Sequence, residues 1–190
     1  MGFLDALFGR TRVKKAKMGE LFALVTAQVD LERDLGWKPG GRAGLCLKTV
    51  PTTDFKQVEA DLEALVKLAA EASKTQVKIS QDEFNYRWLV FTDPDFEDLV
   101  GVIHIAAKEL QDRGYGEQLL AAIFRFSQTT SPVPSYLVYN YKEGGFYPFI
   151  PASGKKRDNA GEMRAGALLG KHLPAVRDQA SWHPLWGLPV

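Results

Sequence analysis

The side chains best suited to chemistry in this chain are scattered rather than grouped. Asp93, Asp95, Glu97 and Asp98 fall within six positions, a density of carboxylates that would suit a divalent cation. They also fall where a helix begins. There they cap free N–H groups and complement the positive end of the helix dipole, each worth about 0.3–1 kcal/mol. His104, His172 and His183 lie far apart, none sits beside Cys46, and neither an HxxxH nor a CxxC spacing occurs. No local metal site is therefore written in the chain. No GxSxG elbow supplies a serine nucleophile. Ser153-Gly154-Lys155-Lys156 recurs in phosphate loops only with an upstream glycine and a following hydroxyl residue. Phe149 and Lys156 occupy those places.

One short match is sharper. Gln111-Asp112-Arg113-Gly114-Tyr115-Gly116 fits the Q/R-x-x-G-x-G/A signature of acetyl-CoA-dependent N-acetyltransferases, where backbone amides hold a pyrophosphate at a helix N-terminus. In that family a strand precedes the signature. Here a capped helical pattern does, and Gly114 is accounted for as the residue that ends it. Acetyl-CoA-dependent transfer is the alternative to a binding function, and no catalytic residue, cofactor or metal ligand is assigned.

Two features suit binding instead. The first is residues 1–17, where Phe3, Leu4, Leu7 and Phe8 share one helical face and Arg10, Arg12, Lys14, Lys15 and Lys17 follow. Five cations against Asp5 give this segment a net +4, while the other residues hold 19 basic and 22 acidic side chains. Such a segment can anchor peripherally on an anionic membrane, or its apolar face can dock on the protein's own core or on a second copy. The second feature is YLVYNYKEGGFYPF (136–149), six of whose fourteen residues are aromatic. Read as a hairpin turning at Gly144-Gly145, it puts Leu137, Tyr139 and Tyr141 on one face and Tyr136, Val138, Tyr147 and Phe149 on the other. The first face is expected in the core. The second is expected to be partly exposed, with Tyr136, Tyr147 and Phe149 as a candidate partner edge, and Pro148 places the second strand at the border of a sheet.

These features need a scaffold, and the patterning supplies one. Residues 18–35 read as helix with Leu21, Phe22, Leu24 and Val25 inward. KPGGRAG (38–44) reads as a turn cluster and GLCLKTV (44–50) as a strand. Thr53 is placed to cap a helix running to about residue 74, with Phe55, Val58, Leu62, Leu65, Val66 and Ala69 on one side. Residues 76–80 and 84–92 alternate as a hairpin. In 93–114 Asp93 is expected to cap, Pro94 to take the first helical position and Gly114 to close. EQLLAAIFRFS (117–127) leans to strand, SPVP (131–134) to loop, and PASGKKR (151–157) to a mobile polar segment. Residues 158–171 form a last helix, and SWHPLWGLPV (181–190) packs down as irregular apolar chain. Strand pairs mixed with single helices indicate one α+β domain over 18–190, with a largely antiparallel sheet packed against helices.

Bulk properties agree. The 190 residues are 45% apolar and 25% charged, and the net charge of +1 predicts no general attraction to nucleic acid. The single cysteine cannot form an intramolecular disulfide, and LCLKTV reads as a buried strand thiol, which fits a reducing compartment. The apolar runs are shorter than the roughly 20 residues of a membrane span. The N-terminus lacks the order of a secretory signal, and Ala6 stands where myristoylation expects a hydroxyl. A cytoplasmic protein is expected, with peripheral contact at the inner face of the membrane if residues 1–17 anchor there.

DFEDLV (95–100), GEQLLAAIF (116–124), YLVYNYKEGGFYPFIP (136–151), RDNAGEMR (157–164) and WHPLWG (182–187), with MGFLDALFGR at the start, together resemble the phage-shock-protein-A-associated family called PspAB. The hairpin and WHPLWG are the most specific of these segments. The resemblance implies a non-enzymatic accessory of an envelope-stress system with a PspA-like protein as partner. It carries over no active site.

Overall fold

The computed structural model describes residues 20–129 and 131–190. Helix α1 (Ala23–Leu35) ends at Gly36, whose φ of 67° supplies the left-handed cap. Strand β1 (Trp37–Lys48) leads to helix α2 (Thr53–Ser73). Strands β2 (Gln76–Gln81) and β3 (Tyr86–Thr92) form a hairpin before helix α3 (Phe96–Asp112). Then come β4 (Leu119–Gln128), β5 (Ser131–Asn140) and β6 (Gly145–Phe149). The two-residue strands β7 (Pro151–Ala152) and β8 (Lys156–Arg157) precede helix α4 (Asn159–His172) and an irregular C-terminal tail.

Strands β1 to β6 make one sheet in the order β2-β3-β1-β4-β5-β6, antiparallel throughout. On one face Leu45, Leu89, Phe91, Phe124, Leu137 and Tyr139 are buried in a cluster with Phe55 and Leu62 of α2 and Leu99 and Ile103 of α3. The opposite face carries Cys46, Trp88, Val90, Ile123, Val138 and Tyr147. It is buried with Val176, Trp182, Leu185 and Val190 of the tail. Strand β4 is therefore covered on both sides, which explains why LLAAIF runs apolar without the alternation of a half-exposed strand. The expected single α+β domain with an antiparallel sheet against helices is what the chain forms.

Several local expectations are corrected. KPGGRAG is not a turn between elements but part of β1. Pro39 pairs with Phe126 and Ala43 with Phe124, so a bulge absorbs the intervening residues. Gly41 sits in it at φ 66°, and its carbonyl accepts from Asp93 N. Thr52, not Thr53, caps α2 by accepting from Phe55 N at 3.2 Å. Asp95, not Asp93, caps α3 by accepting from Glu97 N at 2.8 Å. Pro94 consequently precedes the cap, and buried Asp93 instead accepts from Asp95 N and from Thr75 Oγ1. Phe22 is exposed rather than inward. Residues 131–134 extend β5 rather than forming a loop. PASGKKR folds into the β7–β8 hairpin, with Pro151 paired to Arg157.

Candidate functional site

The hairpin of β5 and β6 pairs Tyr136 with Phe149, Val138 with Tyr147 and Asn140 with Gly145. The connection is a four-residue loop, Tyr141–Gly144, not a tight two-residue turn at Gly144-Gly145. Asn140 Oδ1 organises it by accepting from Lys142 N at 3.0 Å and Glu143 N at 3.2 Å, and Gly144 alone takes a positive φ there. Gly145 is glycine for a separate reason. The tail crosses β6 at this point, with Phe146 N donating to Pro174 O at 2.7 Å and Val176 N to Phe146 O at 2.9 Å. A Cβ on Gly145 would lie 3.0 Å from Val176 N. Strand β6 is the border strand that Pro148 implied, and residues 174–176 cover part of its outer edge.

The division of the hairpin into two faces holds, but the expected exposure of one face does not. Tyr136, Tyr147 and Phe149 are 8%, 0% and 1% accessible. The tail lies on them. Tyr147 stacks on Trp182 at 6.5 Å, Phe149 meets Trp186 edge-on at 5.2 Å, and Tyr136 stacks on Phe149 at 6.0 Å. The body also grips the tail through its main chain. Tyr147 Oη donates to His183 O at 3.2 Å, Tyr136 Oη to Val190 O at 3.4 Å, and Arg42 Nη2 to Pro189 O at 3.0 Å. Two glycines mark the closest approaches: a Cβ on Gly166 would meet the Trp182 ring at 2.3 Å, and one on Gly44 would meet Val190 at 2.5 Å. The hairpin and WHPLWG, far apart in the chain, are thus packed against each other.

An ion pair secures the same region. Glu162, 2% accessible, accepts from Arg157 Nε and Nη2 and from Ile150 N. Arg157 Nη1 donates onward to Trp182 O at 2.5 Å, and its guanidinium lies 5.9 Å from the Phe149 ring centre. The buried carboxylate therefore has both a countercharge and hydrogen bonds, the condition under which such burial is tolerated. Burial pushes the Tyr147 hydroxyl well above the ordinary phenol range, and pushes His183 below the ordinary imidazole value, with nearby Arg157 adding to the latter.

Where the tail runs toward the β2–β3 turn, a cleft of about 410 Å³ stays open. Phe84, Trp88, Leu185, Trp186 and Leu188 give it apolar walls, and Glu83 and Lys155 bring opposite charges to it. Asp82 builds the turn. Its Oδ1 accepts from Phe84 N and Tyr86 N, and its Oδ2 accepts from Trp88 Nε1, each at 2.9 Å. Phe84 is left 48% exposed at the rim. Sequence reasoning read Trp88 only as part of a strand alternation and passed over Phe84. The available signal was a bulky aromatic residue inside the turn run QDEFN, where a polar residue is the norm.

The remaining candidates separate. Phe3, Leu4, Leu7, Phe8, Arg10, Arg12, Lys14, Lys15 and Lys17 lie outside the described residues. Among the described residues no group of three His, Cys, Asp or Glu side chains is placed to hold a metal. His172 Nδ1 lies 3.2 Å from Asp30 Oδ2, and the His104 ring packs 4.8 Å from Phe22. Cys46 is buried, and desolvation raises its thiol pKa well above the ordinary value, the opposite of a reactive cysteine. At 111–116 the helix ends in a Schellman motif: Gly114 N donates to Gln111 O and Tyr115 N to Leu110 O. Those two amides are engaged, and a three-residue 3-10 turn and then β4 follow, not the helix N-terminus that would hold a pyrophosphate. Among the described residues no helix is long and apolar enough to cross a membrane.

A family model, PspA associated protein B, matches residues 1–190. The comparisons with curated proteins and with solved structures return no match.

Proposed function

Because the chain belongs to the PspA associated protein B family, we propose that it is a non-enzymatic accessory of a PspA-type membrane-stress system and acts by binding a PspA-like protein. The observation that carries this reading is the family match over the whole chain. The interior is in keeping with it. Three buried polar side chains are committed to structure: Asp93 to a helix start, Asn140 to a loop, and Glu162 to Arg157 and the Ile150 amide. Each of these three is satisfied within the fold, as buried polar groups generally are. Residues 1–17 supply the membrane side of the same role, with Phe3, Leu4, Leu7 and Phe8 as apolar contacts and the five cations facing anionic headgroups.

The test is titration calorimetry of the purified full chain against the PspA-type protein of the same host. Saturable binding at micromolar concentration is expected. No heat and no co-migration in gel filtration up to roughly 100-fold higher concentration, where a micromolar site would be saturated, overturns the reading.

A further inference from the structure

The outer surface of the helical layer carries apolar side chains that the core does not use. Helix α3 packs against both α1 and α2. Phe22, 43% exposed, meets the His104 ring at 4.8 Å and bridges the start of α1 to α3. Ile105, 40% exposed, follows on α3. Residues 105, 109 and 113 rise along one side of α3 at i, i+4 spacing. Arg113 pairs with Asp61 of α2 at 2.6 Å, so that side faces α2. Phe55 meets Tyr115 while Asp61 meets Arg113, so the two helices run antiparallel. From Asp61 to Leu68 the chain advances about 10 Å along α2, and from Arg113 to Ile105 it returns about 12 Å along α3. Leu68, 66% exposed, therefore stands level with Ile105. Two features point to a cover over this surface. His104 Nδ1 is buried and has no hydrogen-bond partner among the described residues, a state that native chains largely avoid. Gly101 lies one turn before Ile105, and a Cβ there would meet nothing within 4 Å. Glycine within a helix costs stability, and here it leaves a dent that an approaching side chain can fill.

We infer that this surface is the docking site of the chain's own N-terminal segment, which lays Phe3, Leu4, Leu7 and Phe8 on the patch formed by Phe22, Ile105 and Leu68. Connectivity selects this occupant. The described residues begin at Glu20, two positions from Phe22. Residues 9–19, eleven in all, can span up to roughly 35 Å. Helices spaced about 8–10 Å apart put the whole patch, from α1 across α3 to α2, within roughly 20 Å. Such a tether holds the segment at an effective concentration on the order of millimolar. Charge agrees with the choice, since residues 1–17 carry a net +4. Around the patch, Lys108 and Arg113 are already paired with Asp112, Asp61 and Glu109. Glu71, Glu97 and Asp98, against Lys67, are in no ion pair among the described residues. That border attracts a cationic segment and repels an anionic bilayer. A second copy would need about 800 Å² from each partner for a stable interface, more than three part-exposed side chains supply. The docked face is the one that would enter a membrane, so docking and membrane contact exclude each other and the patch acts as a latch. The latch rests on the membrane contact proposed above; the docking itself does not.

The experiment uses the full chain with a nitroxide on Ala6→Cys; Cys46 is buried and stays unlabelled. Paramagnetic broadening of the Leu68, Gly101 and Ile105 amides is expected, and the double variant Ile105→Gln with Leu68→Gln should abolish it. Both changes are neutral and at exposed positions, and an unchanged melting temperature verifies the fold. The same double variant, without the label, should bind anionic vesicles several-fold more tightly than wild type, because a docked fraction of about nine-tenths masks binding about tenfold. No broadening at the patch overturns the inference. So does broadening that passes from a labelled chain to a separate isotope-labelled one, which would make a second copy the occupant. Weaker vesicle binding by the double variant would make the patch itself a lipid surface and also overturns it. Patch broadening with equal vesicle binding by both chains refutes the latch. Patch broadening with no vesicle binding by either chain supports the docking and removes the membrane contact instead.

Discussion

Replacing Tyr147 with alanine removes a ring with no solvent exposure, from the point where β6 meets the tail. The ring is stacked on Trp182 at 6.5 Å, and its hydroxyl donates to His183 O at 3.2 Å. Truncating a buried aromatic side chain costs about 3–5 kcal/mol. That is a large share of the ~5–15 kcal/mol that holds a typical domain folded. For a chain of this size each kcal/mol moves the melting temperature by about 2–4 °C, so a fall on the order of 10 °C is expected. Tyr147→Phe separates the two contributions. It keeps the ring and loses only the hydrogen bond, worth about 0.5–1.5 kcal/mol. The assay is urea denaturation followed by tryptophan fluorescence, with Trp182 and Trp186 reporting on the tail. If Tyr147→Ala costs less than about 1 kcal/mol, the size of an ordinary point change, the tail is not packed on this ring in solution. The burial of the whole sheet face would then be refuted.

Two further outcomes follow from the same physics. Burial raises the hydroxyl pKa of Tyr139, Tyr141 and Tyr147 well above their ordinary 10.0. The unfolded chain sheds these protons as pH passes 10 while the folded chain keeps them. Their contribution to stability is therefore complete below about pH 10 and is lost as pH rises beyond it; denaturation midpoints that do not fall between pH 9 and pH 11.5 would contradict their burial. At the other end of the chain, the full-length protein is expected to co-sediment with anionic vesicles at low salt and to release as salt rises. Deletion of residues 2–9 should abolish this, and indifference of the full chain to such vesicles would remove the membrane role of Phe3, Leu4, Leu7 and Phe8.

Much of the architecture is legible from residue types in order, because the signals that set it are local. Alternation fixes which side chains of a strand share a face, so the partition of Leu137 and Tyr139 from Tyr136, Tyr147 and Phe149 could be read directly and is the one observed. Turn and cap chemistry located the helices, but the caps of α2 and α3 fall one or two residues from the expected ones. Neighbouring candidates, Thr52 beside Thr53 and Asp95 beside Asp93, differ only in which one the three-dimensional backbone leaves free to cap. KPGGRAG carries the same glycines whether it turns the chain or bulges a strand. Only pairing with β4 on one side and β3 on the other decides for the bulge.

What no local signal could decide is what covers each face. The second face of the hairpin is as apolar as the first, and its pattern leaves open whether solvent, a partner or another part of the chain lies on it. The answer comes from residues 174–190, which have no periodicity to announce a destination. They are held by donors as distant as Arg42 and Tyr136. The cleft is less visible still, because Phe84, Lys155 and Trp186 come from three separate segments. The sequence by itself determined the elements, the composition of their faces and the family resemblance. Tertiary structure alone decided that the tail seals one sheet face and leaves a cleft at its end, because burial is settled between segments remote in the chain and periodicity speaks only for neighbours.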